Sequence, residues 1–177
     1  SKSGNNLQPY LFFIGDRRPH KNLKKMIDIF LLLQQNFGYE GTFIIAGSKV
    51  NFDIDLDNYV ADKKNINIIG PVSDEELSCY YQNMNALFFL SKYEGFGLPI
   101  LEAARFNKKI ITSNTSSLPE VTPCTGLMLS PDGNNEELAR SIASYLSSTI
   151  EIENETFLTN FSWPKTAHEI FFDIRNI

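Results

Sequence analysis

Cysteine is scarce. Cys79 and Cys124 are the only two in 177 residues; they lack metal-ligand spacing and cannot build a disulfide framework. Both are expected to be free thiols of a reducing compartment, Cys79 within a helical pattern, and redox or nucleophilic roles are set aside. Long apolar runs are missing as well. No stretch approaches the roughly 18 residues of a membrane-spanning helix, and the opening residues have no charged-then-apolar leader pattern. The expectation is a soluble, non-secreted domain. Positive charge is also short: 16 Lys and Arg against 21 Asp and Glu leave a net charge of -5. That balance argues against broad nucleic-acid binding, so any phosphate site must be local. Neither internal repeats nor low-complexity tracts are evident. Apolar residues, by contrast, make up 42% of the chain, enough for one domain with its own core.

The apolar residues gather in six short runs: Tyr10–Ile14 before Gly15, Thr42–Ala46 before Gly47, Asn65–Gly70, Ala86–Leu90, Lys109–Thr112 and Gly126–Leu129. Ala86–Leu90 is wholly apolar and partly aromatic, as a strand buried on both faces of a parallel sheet would be. Helical patterns lie between the runs. Leu23, Met26, Ile27, Phe30, Leu33 and Phe37 recur at helical spacing after Asn22, an N-cap residue type, and Gly38 is placed to stop that helix. Ser73-Asp-Glu-Glu76 is a capping box for a helix running to about Asn83. Asn134-Asn-Glu-Glu137 caps a helix in which Leu138, Ile142 and Leu146 recur every four residues. Ser162-Trp-Pro opens a last helix with Trp163, Ala167, Ile170, Phe171 and Ile174 on one face and His168 at its boundary. This alternation predicts an α/β fold: a Rossmann-like doubly wound parallel sheet of about six strands with helices on both faces. Such sheets bind ligands outside the carboxyl ends of their strands.

Two segments would meet at that end. After Ala86–Leu90, the stretch Ser91–Ala103 reads as an anion-binding strand-to-helix turn. Gly95 and Gly97 allow tight backbone dihedrals, and Pro99 suits the first helical position. Free N–H groups and the helix dipole there favour an anion by roughly 0.3 to 2 kcal/mol. Glu94 and Glu102 frame the turn; carboxylates are poor phosphate ligands but good acceptors for sugar hydroxyls. The plainer alternative is a capped helix with Glu102 paired to Arg105 at i+3. After the first strand comes Asp-Arg-Arg-Pro-His-Lys-Asn, and Lys21, Lys24 and Lys25 crowd the positive end of a helix, where an anion would relieve the conflict. Arg17, Arg18 and Lys21 offer phosphate ligands, although charge alone favours a solvated basic loop. Asp53-Ile-Asp55-Leu-Asp57 fails the calcium-loop pattern, because Asn58 and Lys64 stand where its Gly and Glu belong. A D-x-D metal site there is the minor remaining option.

Glu94-Gly-Phe-Gly-Leu-Pro-x-x-Glu102-Ala resembles the E-x7-E signature of the retaining GT-B glycosyltransferases of family 4, which move a sugar from a nucleotide diphosphate. The resemblance implies one lobe of a GT-B fold. Glu94 would contact the donor sugar, Glu102 the ribose hydroxyls, and the backbone N–H groups of Phe96, Gly97 and Leu98 the sugar and diphosphate. Gly15-Asp-Arg-Arg-Pro-His-Lys-Asn-Leu23 is similar to the family segment whose arginine and lysine hold the diphosphate. Lys21 matches the lysine; Arg17 and Arg18 both stay open for the arginine. Glu94, Lys21 and one of these arginines would form the catalytic set. Gly15, Gly95, Pro71 and Val72 would join the nucleotide-sugar-binding set, the last two beside the base. Leu77, Tyr80 and Tyr81 read as packing residues, and His20 as surface. Asn114–Val121 resembles the family's Leu-Pro-Glu loop, with Glu120 structural, while Asn107 and Lys109 occupy its Gly-x-Pro positions.

The same resemblance implies electrostatic catalysis with no metal or cofactor, the nucleotide diphosphate sugar being the donor substrate. Its motifs are those of the C-terminal lobe. Residues 9–177 are therefore expected to be the nucleotide-sugar-binding lobe and residues 1–8 a linker or cloning remnant. The acceptor lobe, which would bind a saccharide or lipid-linked acceptor, is expected to lie outside this chain. Alone, the lobe should bind nucleotide and turn over little. The expected setting is cytoplasmic, with at most peripheral contact at the inner face of the membrane, in polysaccharide or lipopolysaccharide synthesis. The alternatives are another GT-B enzyme, such as a nucleotide-sugar epimerase or a phosphorylase, and a non-catalytic Rossmann-like interaction domain. Base, sugar, acceptor and linkage are not legible.

Overall fold

The structure, a computed structural model, describes residues 8–49 and 55–161. Its elements in chain order are β1 (Tyr10–Ile14), α1 (Leu23–Phe37), β2 (Thr42–Ala46), α2 (Leu56–Val60), β3 (Ile66–Ile69), α3 (Asp74–Asn83), β4 (Ala86–Phe89), α4 (Leu98–Arg105), β5 (Lys109–Ser113), β6 (Leu127–Leu129), α5 (Asn135–Ser147) and α6 (Glu155–Leu158). Short 3-10 turns lie at Pro19–Lys21 and Leu118–Val121. Each expected strand is present, with ends shifted by no more than one residue. The helix expected from Ser162, with His168, lies outside the described residues.

The strands form one six-stranded sheet in the order β3-β2-β1-β4-β5-β6, and every pairing is parallel. From β1 the chain steps outward to β2 and β3. The segment containing α3 then carries it back across to β4, on the other side of β1. The connections leaving β1 and β4 therefore diverge, and a crevice opens between them at the carboxyl ends of the strands, as it does at the switch point of any doubly wound sheet.

Helices cover both faces. Leu11 pairs with Phe43 and Phe12 with Ile44, so Phe43 and Phe12 point to opposite sides of the pleat. Phe30 of α1 packs on Phe43 at 5.6 Å, and α5 packs beside α1. On the other side Tyr80 of α3 stacks on Phe12 at 5.2 Å. Tyr81 stacks at 5.8 Å on Phe106, the residue closing α4. Phe12, Phe13, Leu87 and Phe88 are fully buried, each contributing about 1.5–3 kcal/mol by leaving water. This double coverage is why β1 and β4 are apolar without alternation.

The helix ends follow local chemistry. Ser73 and Glu76 form the expected capping box, Asn134 accepts from Glu136 N and Glu137 N, and left-handed Gly38 closes α1. Asn22 does not cap with its side chain. Its backbone is left-handed (φ 61°), and its amide instead donates to the carbonyls of Leu90 at 3.1 Å and Pro131 at 3.2 Å.

Candidate functional site

Glycines finish the first three strands at the crevice. Gly15 N donates to Ala46 O at 3.1 Å and Gly47 N to Gly70 O at 3.2 Å. Gly47 has φ +130°, and a Cβ there would lie 1.9 Å from the Gly15 carbonyl oxygen. Only glycine allows these strand ends to touch. The Lys21 side chain passes Gly15, its Cε 3.9 Å from where a Cβ would sit.

Lys21 then crosses the switch point to Glu94. Its Nζ donates to Glu94 Oε1 at 2.8 Å and Oε2 at 2.9 Å, with the Phe89 ring centroid 5.7 Å away. The two side chains are only 12% and 11% exposed. A nearly buried ion pair of this kind holds both charges in place, and the ammonium keeps a third N–H for another acceptor. The backbones are tied too, Lys92 N donating to His20 O at 2.8 Å.

The remaining basic residues disperse. Arg17 is buried, with its Nη1 3.1 Å from Asp57 Oδ1. Asp57 also meets Lys49 at 2.9 Å. The hydrogen bond from Lys49, reinforced by the nearby Arg17 charge, holds the Asp57 carboxyl below its usual range. Arg18 is 60% exposed and pairs with Asp16 at 3.4 Å. Lys24 lies over the Tyr59 ring at 4.7 Å, and Lys25 donates to Gly133 O at 2.6 Å. The expected conflict at the start of α1 is therefore relieved by the protein's own acceptors, and an external anion is not required for it. Of the acidic segment, Asp55 caps α2 and Asp57 pairs as above, while Asp53 lies outside the described residues.

The turn after β4 differs in detail from the sequence expectation. Gly97 is the left-handed one (φ +98°), and a Cβ there would meet Leu118 Cδ2 at 2.7 Å. Gly95 has no positive φ, and a Cβ would meet nothing within 4 Å. Its bareness serves open space rather than the turn. Gly97 precedes Leu98, the first helical residue, so Pro99 is second rather than first; the N–H it lacks is one the helix leaves unpaired at either position. Tyr93, Phe96 and Leu98 are 66%, 46% and 59% exposed around it. Pro71 is exposed and Val72 half-buried, just before α3.

Hydroxyls that sequence reasoning missed hold this loop from below. Thr112 donates to Phe89 O at 3.2 Å, Ser113 to Ser91 O, and Thr115 to Lys92 O at 3.2 Å. Ser116 and Ser117 donate to Glu94 O at 2.7 and 2.9 Å, and Ser117 also reaches Phe96 O at 3.2 Å. The run Thr-Ser-Asn-Thr-Ser-Ser was the available signal, since hydroxyl-rich loops satisfy neighbouring backbone. Glu102, inside α4, does not pair with Arg105. Its Oε2 accepts from the Tyr81 hydroxyl at 2.6 Å. A groove of about 530 Å3 lies between Tyr10, Thr42, Ile44 and Asn67 of the sheet and Glu76 and Tyr80 of α3, and none of the candidate site residues lines it.

A sequence profile described as Glycosyl transferases group 1 matches residues 2–159. The chain belongs to that family. It is 32% identical over 129 residues to O-antigen chain mannosyltransferase B of Escherichia coli, covering 71% of this chain and 34% of that protein. Serotype-specific mannosyltransferase WbdA of the same species is 28% identical over 160 residues, with 85% of this chain and 20% of WbdA covered. The chain thus spans about a third or less of these relatives. Among solved structures, the C-terminal domain of a group 1 glycosyl transferase, LpcC of Francisella tularensis, aligns with a TM-score of 0.67 at 22% identity, covering 80% of this chain and 76% of that one. HepE of Anabaena, solved with UDP and glucose, gives 0.77 at 16% identity, covering 97% and 49%. At these identities the likeness is one of fold, that of a GT-B glycosyltransferase C-terminal domain. Among the described residues, no helix of this group 1 domain is long and apolar enough to cross a membrane.

Proposed function

We propose that this chain is the donor-binding lobe of a retaining glycosyltransferase acting on a nucleotide diphosphate sugar. The observation that carries the reading is the Lys21–Glu94 pair across the β1–β4 switch point, where two separate motifs converge. The diphosphate would lie over the glycine strand ends and the first turn of α4. Lys21, the free N–H groups of that turn, and Arg17 or Arg18 would stabilise charge developing on the leaving diphosphate. Glu94, fixed by Lys21, would orient the donor sugar, and Glu102 would accept from the ribose hydroxyls. The base would border Pro71 and Val72. The names of the related mannosyltransferases support mannose as the transferred sugar and a saccharide or lipid-linked acceptor of the O-antigen type, bound by a second lobe. The setting we propose is cytoplasmic, with at most peripheral membrane contact made through the second lobe.

The test is a thermal-shift panel of nucleoside diphosphates and their sugar conjugates. A ligand at about 100 times its dissociation constant should stabilise the fold by roughly 2.7 kcal/mol. A shift selective for one base and lost in Glu94→Ala or Lys21→Ala is expected. No shift with any nucleotide at saturating concentration would favour a non-catalytic interaction domain, and a response to free phosphate alone would favour a phosphorylase.

A further inference from the structure

Tyr81 occupies the last turn of α3 with 2% of its surface exposed. Its ring is held edge-on by Phe12 at 5.6 Å and stacked on Phe106 at 5.8 Å. For packing alone, phenylalanine would serve in these surroundings and would avoid burying a hydroxyl. The hydroxyl has a specific destination, Glu102 Oε2 at 2.6 Å, a charge-assisted bond of the short, strong kind. We propose that Tyr81 is the positioning residue for Glu102, setting the carboxylate in the orientation that accepts the two hydroxyls of the donor's ribose.

The inference rests on the reading of Glu102 as the ribose-holding group. A glutamate has three side-chain torsions, and on a half-exposed helix surface several rotamers compete. The Tyr81 bond selects one of them, anchored to a ring that is buried and held between Phe12 and Phe106. It occupies Oε2 and leaves Oε1 with its full acceptor capacity. Burial, and then the adjacent carboxylate, push the Tyr81 phenol far above its ordinary pKa, so the hydroxyl stays a donor throughout the working pH range. Position 81 therefore acts on nucleotide recognition without touching the ligand.

The test uses the full-length protein and isothermal titration with GDP and UDP, together with their 2′-deoxy and 2′,3′-dideoxy counterparts, against wild type, Glu102→Ala and Tyr81→Phe. Wild type should prefer the ribose form of its nucleotide by roughly tenfold or more, the worth of hydrogen bonds to a charged group. Glu102→Ala should bring that ratio close to one. Tyr81→Phe should lower the ratio about threefold or more while leaving dideoxy affinity unchanged, since only the hydroxyl-dependent part of binding is touched. An unchanged ratio in Tyr81→Phe overturns the positioning role and leaves the ribose role of Glu102 standing. Equal weakening for every ligand would assign Tyr81 to structure alone and also overturns the proposal. Equal ratios in wild type and Glu102→Ala overturn the ribose reading and this inference with it, as does the absence of binding by either nucleotide.

Discussion

Residues that look equivalent in the sequence separate once their surroundings are known. Gly95 and Gly97 flank Phe96 in one motif, yet Gly97 is left-handed against Leu118 while Gly95 faces open space. Gly97→Ala should therefore destabilise the fold by about 1–3 kcal/mol through backbone strain. Gly95→Ala should leave urea stability within about 0.5 kcal/mol but weaken nucleotide binding, because its methyl group projects where the ligand is proposed to lie. Equal losses of stability in both variants would contradict this division. Lys21 and Glu94 form the second case. Both were candidates from motif chemistry, but the near-burial of their pair makes each the other's counterion. Lys21→Met should cost about 3 kcal/mol by stranding a shielded carboxylate, and adding Glu94→Gln should recover part of that loss. Additive losses in urea melts would show the two charges to be independent. Tyr81 marks the limit of this scale. Helical spacing shows that a tyrosine is buried, not which acceptor its hydroxyl finds.

At the level of elements, the strands, the Ser73–Glu76 capping box, the Asn134 cap and the glycine stop of α1 were legible because each depends on residues a few positions apart. The devices that tie elements together were not. Asn22 has the composition of an N-cap, but its amide is drawn to Leu90 and Pro131, a competition local sequence cannot reveal. Lys109 stands where the resembled family has a proline. Its ammonium donates to the carbonyls of Tyr145, Leu146 and Ser148 at 2.7–2.8 Å, closing the carboxyl end of α5 as cations favour. Asn107, the other departure, is left-handed at φ 49°, as a helix end requires. Lys109→Met should destabilise by about 2 kcal/mol, because several half-buried carbonyls lose their donor, with nucleotide affinity unchanged. A variant as stable as wild type in urea would show that water replaces the ammonium without loss.

For the whole molecule, strand order decides what the motifs can do together. With β4 beside β1, the loops carrying Lys21 and Glu94 rise on either side of one crevice. Any order that separated those strands would leave the same residues as unrelated surface features. The chain covers about a third or less of its relatives. A purified domain of this length should therefore bind nucleotide yet transfer sugar at least roughly a hundredfold slower than the full-length protein, since positioning of the acceptor is lost. Transfer at the full rate would place acceptor binding within this chain.

Taken by itself, the sequence determined the class of fold, the number of strands and their limits to within a residue, the caps of α3 and α5 and the candidate ligand-binding turns. These depend on periodicity, propensity and turn chemistry, all short-range. Only the tertiary structure decided that Lys21 meets Glu94 across a separation of 73 residues, that Glu102 is held from α3, and that the Ser116 and Ser117 hydroxyls fasten the Glu94 loop. The physical reason is that these contacts follow from which strands become neighbours. A parallel sheet settles that order by packing both faces at once, a property of the assembled layers and not of any single segment.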